Sequence, residues 1–270
     1  MAALGLTVSL LFAQASPPSG KIPAGAGAEV AALKASPRHG EWVDIAVPGS
    51  DTKVKSWVVY PERPDKAGVV IVIFEIFGMS DWVRGVTDQL AADGFIAIAP
   101  DLLSGMGPNG GGTEALGQNV GQTIRTLTPD LQVTKLDAVR EYALKIPAAN
   151  GKIGSIGFCW GGGASFNYAA RQSKLNAAVV YYGTPPSDDL LAKVECPVLG
   201  CYGGNDARIT ATVEPTTKKM ADLKKSYEPH IYEGAGHGFL RQQNAADSPN
   251  MKAAQSAWPT TVAFFKKHLS

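Results

Sequence analysis

Three side chains stand in contexts that make their chemistry usable: Cys159, Asp206 and His237. Cys159 lies in Gly157-Phe158-Cys159-Trp160-Gly161, with Gly162 and Gly163 following. The run before it, Lys152–Phe158, alternates apolar and small residues as a short buried strand does, and a helical run, Ala164–Arg171, comes after. Strand, corner and helix together have the form of a nucleophile elbow, with sulfur where a serine hydroxyl more often sits. A corner that tight leaves no room for bulk beside the nucleophile, hence glycines two residues before and two after it. Sγ then projects above the sheet edge at a helix N-terminus, whose dipole and free N–H groups favour the reactive thiolate. The plainer alternative is a glycine-rich turn around a small buried cysteine.

A thiol that attacks a carbonyl needs a base and an oxyanion hole. Of the four histidines, His39 lies near the N-terminus, His230 at a strand start and His268 near the C-terminus. His237 stands in Gly234-Ala235-Gly236-His237-Gly238-Phe239, a loop of small residues after the last strand, able to hold an imidazole close over a neighbour. Asp206 closes Gly203-Gly204-Asn205-Asp206, directly after another strand. Singly, each has an ordinary explanation: a turn histidine, a capping aspartate. Together, nucleophile, acid and histidine, each after a strand, follow the order of an α/β-hydrolase triad. Upstream, Phe74-Glu75-Ile76-Phe77-Gly78 ends the first central strand, where that fold supplies its second oxyanion donor. The backbone N–H groups of Ile76 and Trp160 are therefore the expected donors. Glu75 is either paired, since an unpaired carboxylate at the end of an apolar strand is costly, or turned to solvent.

The elements that must position these residues alternate strand and helix. Glu41–Val47 and Lys53–Tyr60 read as an antiparallel pair across Pro48-Gly49-Ser50-Asp51. Val69–Phe74 is continuously apolar, as a central strand covered on both faces should be. A helix over Asp81–Ala92, a strand over Phe95–Ala99 and a glycine-rich loop, Leu102–Gly112, follow; such a loop is mobile or borders a site. Thr113–Leu127 is weakly helical and Pro129–Ile146 more strongly so. Beyond the elbow come strands Ala177–Tyr182 and Pro197–Tyr202, a helix at Val213–Ser226, a short strand His230–Tyr232 and a closing helix Met251–His268. Such units imply an α/β fold, a mostly parallel central sheet with helices on both faces, binding ligands beyond the carboxyl ends of its strands.

Composition excludes several other functions. A net charge of +1 over 270 residues gives no electrostatic reason for a nucleic-acid or acidic-membrane partner. No stretch reaches the roughly 20 apolar residues of a membrane helix. Cys196 and Cys201 sit in one strand, their Cα atoms about 16 Å apart, against a disulfide limit of about 7 Å. Three free thiols are expected. Residues 1–40 differ from the rest: Leu4–Phe12 with Ala13-Gln14-Ala15 looks like a secretory signal without its basic n-region, and Ser16–Arg38 reads as a flexible leader. The expectation is an exported chain with one domain over 41–270.

The pieces Glu75-Ile76-Phe77-Gly78, Pro100-Asp101-Leu102, Gly157-Phe158-Cys159-Trp160-Gly161-Gly162, Tyr181-Tyr182-Gly183, Gly204-Asn205-Asp206 and Gly236-His237-Gly238-Phe239, in this order, resemble the dienelactone hydrolase family over residues 41–270. The resemblance implies the α/β-hydrolase fold and a Cys159–His237–Asp206 triad. It implies that Glu75 contacts the resting thiol and releases it when substrate binds, and that Arg241 holds a substrate carboxylate. Tyr182 lines the pocket or is a core tyrosine. A second arginine that dienelactone-specific members carry is missing, Gly105 falling near its place. The expected activity is cofactor-free and metal-free hydrolysis of activated esters or lactones, of the carboxymethylenebutenolidase type, through a thioester. The expected partner is a small-molecule ester or lactone, and the expected state a monomer. The rivals are a broad carboxylesterase of aryl esters, and a non-catalytic thiol redox or binding scaffold.

Overall fold

The apolar runs become the middle of an eight-stranded sheet. The computed structural model describes residues 21–270, so the signal-like run Leu4–Ala15 lies outside the described residues. In chain order the elements are α1 (Glu29–Ala35), β1 (Gly40–Ala46), β2 (Lys53–Val59), β3 (Ala67–Ile73), α2 (Asp81–Ala92), β4 (Ile96–Pro100), α3 (Thr113–Leu116), α4 (Val120–Ile124) and α5 (Pro129–Ala143). The second half runs β5 (Ala149–Phe158), α6 (Trp160–Arg171), β6 (Ala177–Tyr181), α7 (Asp188–Leu191), β7 (Val198–Gly203), α8 (Ala207–Thr210), α9 (Val213–Asp222), β8 (Tyr227–Tyr232) and α10 (Pro249–Leu269).

The strand order is β1-β2-β4-β3-β5-β6-β7-β8. β1, β2 and β4 pair antiparallel; from β4 through β3 to β8 every pairing is parallel. All residues of β3, β4 and β6 are buried, because helices cover both faces: α2 and α10 pack on one, α5 and α6 on the other. Pro229 sits in β8, an edge strand, where a missing ladder donor is tolerated. The parallel order places the carboxyl ends of β3, β5, β6 and β7 side by side. Each candidate residue follows one of the parallel strands.

Two stretches differ from their sequence reading. Of the expected flexible leader, residues 21–38 are folded against the body: α1 packs on α2, and Arg38 pairs with Asp88. Composition shows only that this stretch buries little; it does not show the tertiary partners that hold it. The Leu102–Gly112 loop, unperiodic in sequence, is pinned. Buried Lys135 donates from Nζ to the carbonyls of Leu102 (2.7 Å) and Ser104 (2.8 Å). Burial pushes the Lys135 pKa down, and nearby Asp101 opposes the shift. The weakly helical Thr113–Leu127 breaks at Gly117, whose φ is +51°, leaving α3 and α4.

Candidate active site

The corner after β5 takes its shape from backbone crowding. A Cβ on Gly157 would lie 1.8 Å from the Gly161 carbonyl oxygen, and one on Gly161 would lie 2.2 Å from that of Phe74. Their role is close approach, since neither has a positive φ; the strained residue is Cys159 itself, at φ 55° and ψ −116°. That conformation is costly for a non-glycine residue and is held from both sides. The Cys159 N–H donates to the Tyr181 carbonyl at the end of β6 (3.0 Å), and its carbonyl accepts from Gly163 N (3.2 Å). The thiol is half-exposed at the first turn of α6.

The loops after β7 and β8 interlock to bring the other two groups together. Asn205 N–H donates to the Ala235 carbonyl (2.9 Å), and its side-chain amide to the Gly234 carbonyl (3.1 Å). Asn250, in the first turn of α10, accepts from Gly236 N (2.8 Å) and donates to the Gln242 carbonyl (2.7 Å). Asp206 Oδ2 then lies 2.5 Å from His237 Nδ1. The Cys159 side chain is the largest influence raising the His237 pKa. Partial burial opposes it, the Asp206 bond adds to it, and the imidazole reaches about 9. Asp206 and His237 are thus in direct contact, and the Cys159 side chain is near enough to act on the same imidazole.

Two candidate oxyanion donors are free. Among the described residues, neither Ile76 N–H nor Trp160 N–H donates a hydrogen bond within the protein. Trp160 opens α6, where the first N–H groups have no partner in the helix. Its ring stacks on Phe74 with centroids 5.6 Å apart. The loop bearing Ile76 is fixed from below by a relay missed in the sequence. Buried Asp101 accepts from Thr113 N (2.7 Å) and Thr113 Oγ1 (2.8 Å), and Thr113 Oγ1 accepts from Met79 N (3.0 Å). The legible sign was Asp101 directly behind a buried strand, though its partner lies twelve residues on.

Glu75 departs from expectation. It is paired rather than solvated, but with Arg241 Nε at 3.4 Å and not with the thiol. Neither Glu75 Oε2 nor Arg241 Nε completes a hydrogen bond, so the approach is an ion contact of poor alignment. Burial pushes the Glu75 pKa up to about 7, against the lowering influence of Arg241 and then His237. The physical reason is reach: the Arg241 guanidinium lies over the Phe77 ring, 4.6 Å from its centroid, and so beside Glu75. Arg241 therefore stands at the site as expected, already occupied. Tyr182 has no exposed surface, so it does not line an open pocket. Its ring lies 5.1 Å from that of His237 and 5.4 Å from that of Phe239, and its buried hydroxyl has no partner. Burial, then the charges of Glu75 and Cys159, hold its pKa well above the usual value. Gly105, at φ +85°, is closed in by Thr52.

The comparisons with known proteins identify the family and the fold. The sequence model described as "Dienelactone hydrolase family" matches residues 54–269. A protein of Escherichia coli K12 named "Putative carboxymethylenebutenolidase" is 30% identical over 238 residues, covering 83% of this chain and 86% of that one. Among solved structures, a "Putative Dienelactone Hydrolase" of Klebsiella pneumoniae superposes with a TM-score of 0.73 at 25% identity, over 85% of this chain and 99% of the other. The dienelactone hydrolase of Anabaena variabilis superposes with a TM-score of 0.68 at 21% identity, over 86% and 99%; at that identity it supports the fold alone.

Proposed function

This chain belongs to the dienelactone hydrolase family, an α/β-hydrolase family acting on ester and lactone bonds, and from that premise we propose that it hydrolyses activated esters or lactones through Cys159, His237 and Asp206. The observation that carries the reading is the 2.5 Å Asp206–His237 bond, with the elbow thiol near enough to raise the pKa of the same imidazole.

The Cys159 sulfur attacks the carbonyl carbon, and the free N–H groups of Ile76 and Trp160 stabilise the oxygen that becomes negative. His237 holds the thiol proton and delivers it to the departing alkoxide or enolate as the C–O bond breaks, leaving a thioester on Cys159. It then takes a proton from water, whose oxygen attacks the thioester; the acid is released and the proton returns to sulfur. Asp206 keeps the imidazole in one tautomer and orientation. Sulfur leaves a tetrahedral intermediate more readily than an alkoxide or an amide nitrogen. Enol lactones and aryl esters escape this partition because their oxygen leaves easily; amides do not.

Gly105 favours a breadth that includes neutral aryl esters, since Arg241 is the one guanidinium assigned to a substrate anion. The test is turnover of aryl esters and unsaturated lactones by the wild-type protein and by Cys159→Ala. Turnover confined to the wild type supports the reading. Equal turnover by a folded Cys159→Ala protein removes it and leaves the thiol scaffold as the alternative.

A further inference from the structure

The family match begins at residue 54, yet the segment before it is bound to the loop that carries His237 and Arg241. Ala26 N–H donates to the Arg241 carbonyl at 2.8 Å. Gln243, nearly enclosed, donates from Nε2 to the Pro23 carbonyl (2.7 Å) and to the Leu240 carbonyl (2.9 Å). Between these contacts the chain runs so close that a Cβ on Gly25 would meet Gln243 Oε1 at 3.0 Å and the Arg241 carbonyl oxygen at 3.2 Å. Pro23 is buried and Ile22 packs against the core.

The other end of the segment is anchored as firmly. α1 lies on α2, with the Glu29 Cβ 3.7 Å from where a Cβ on Gly85 would stand. Asp88 of α2 accepts from Ser36 Oγ (2.5 Å), Arg38 Nε (3.0 Å) and Arg38 Nη2 (2.5 Å). α2 is the helix that follows the loop bearing Glu75 and Ile76. Residues 22–38 therefore bridge the loop bearing His237 and Arg241 and the helix that follows the loop bearing Glu75, gripping the first at Arg241 itself.

We propose that residues 22–38 are a strap that sets specificity: by fixing the backbone of Arg241 and Gln243, they hold the guanidinium where a substrate carboxylate meets it. This rests on Arg241 being that carboxylate's partner. Its side chain is long and, once it leaves Glu75, free to rotate; its main chain is what a strap can fix beforehand, and fixing a binding group in advance raises affinity without a new contact. Ala26 and Gln243 are positioning residues. They touch neither the thiol nor the reacting carbonyl.

The test uses two full-length variants that release the strap through different bonds. Gln243→Met keeps length and loses both side-chain donors; Ala26→Pro, at an exposed position, replaces the N–H held by Arg241 with a ring carbon and leaves Gln243 untouched. Each is measured with a neutral aryl ester and an aryl monoester of a dicarboxylic acid, and by hydrogen exchange over residues 237–243. The expected result is a KM for the anionic ester raised about three- to tenfold in both variants, unchanged kcat and neutral-ester kinetics, and faster exchange in that loop. If Gln243→Met alone has the effect, its bond to the Leu240 carbonyl is responsible and the strap is overturned. Unchanged kinetics and exchange in both, beside a normal loss in Arg241→Ala, overturn it too. If Arg241→Ala itself leaves the anionic ester untouched, the role of Arg241 fails, and the strap's specificity role fails with it.

Discussion

Arg241 Nε stands 3.4 Å from Glu75 Oε2 without completing a hydrogen bond, which leaves a buried carboxylate that is held rather than satisfied. Burial dominates, so the folded protein keeps Glu75 protonated up to about pH 7, above its ordinary 4.5. The folded state then binds more protons than the unfolded one between these values. The Glu75 contribution is unpenalised below pH 4.5, lowers stability as pH rises to about 7, and is level beyond. Glu75→Gln should abolish that slope and gain up to about 3 kcal/mol at pH 8, read by denaturant unfolding across pH. A slope unchanged in the mutant would mean Glu75 is ionised throughout.

His237 works in the next window. Its folded pKa of about 9 exceeds the ordinary 6.5, so its contribution to stability is complete below pH 6.5 and disappears as pH rises through 9. In His237→Ala that decline should vanish, while the lower-pH decline from Glu75 remains. Melting temperatures taken at intervals from pH 4 to 10 would separate the two.

Kinetically, His237→Ala should cost about 10²–10⁴-fold in kcat on an aryl ester, and Asp206→Asn somewhat less. The double mutant should lose little more than His237→Ala alone, because Asp206 acts through the imidazole. Additive losses would place the two residues in separate roles.

Iodoacetamide should inactivate the enzyme at Cys159 alone. Burial pushes the thiols of Cys196 and Cys201 up to about 12, leaving them protonated at neutral pH. Mass mapping of the adduct checks this directly, and label on either buried thiol in the native protein would contradict it.

Thr113 tests the support beneath the oxyanion loop. Thr113→Val keeps the shape but strips Asp101 of one donor and Met79 N of its acceptor, at a cost of about 1–3 kcal/mol. It should also lower kcat more than it raises KM, since the proposed role of the Ile76 N–H is to act on charge that develops in the transition state. Thr113→Ser should restore both quantities.

The corner around Cys159 was legible because it is local. An elbow is a few consecutive residues, and its glycines are required by contacts as close as that between Gly157 and Gly161. The places of Cys159, Asp206 and His237 in the fold were readable because each follows a strand, and buried parallel strands such as β3 and β6 are simple apolar runs. What the sequence hid depends on distance along the chain. Nothing in the alanine- and glycine-rich stretch around Ala26 announces a partner at Arg241, and nothing near Glu75 says that it meets Arg241 before it meets sulfur. Tyr182 was ambiguous for a related reason. Its position after β6 fits either a pocket wall or a core, and only the packing of His237 and Phe239 over it decides.

The strand order also sets a timetable for synthesis. β5 lies beside β3, with Ile153 against Val69, so the elbow waits for a partner made long before, and then for β6, whose Tyr181 carbonyl holds the Cys159 N–H. Asp206 is translated after that, and His237 later still. At typical translation rates the ribosome needs about 4–16 s to pass from Cys159 to His237. During that interval the nascent thiol lacks both of the partners proposed for it, Asp206 and His237. The proposed site is therefore complete only once the loop after β8 has been made.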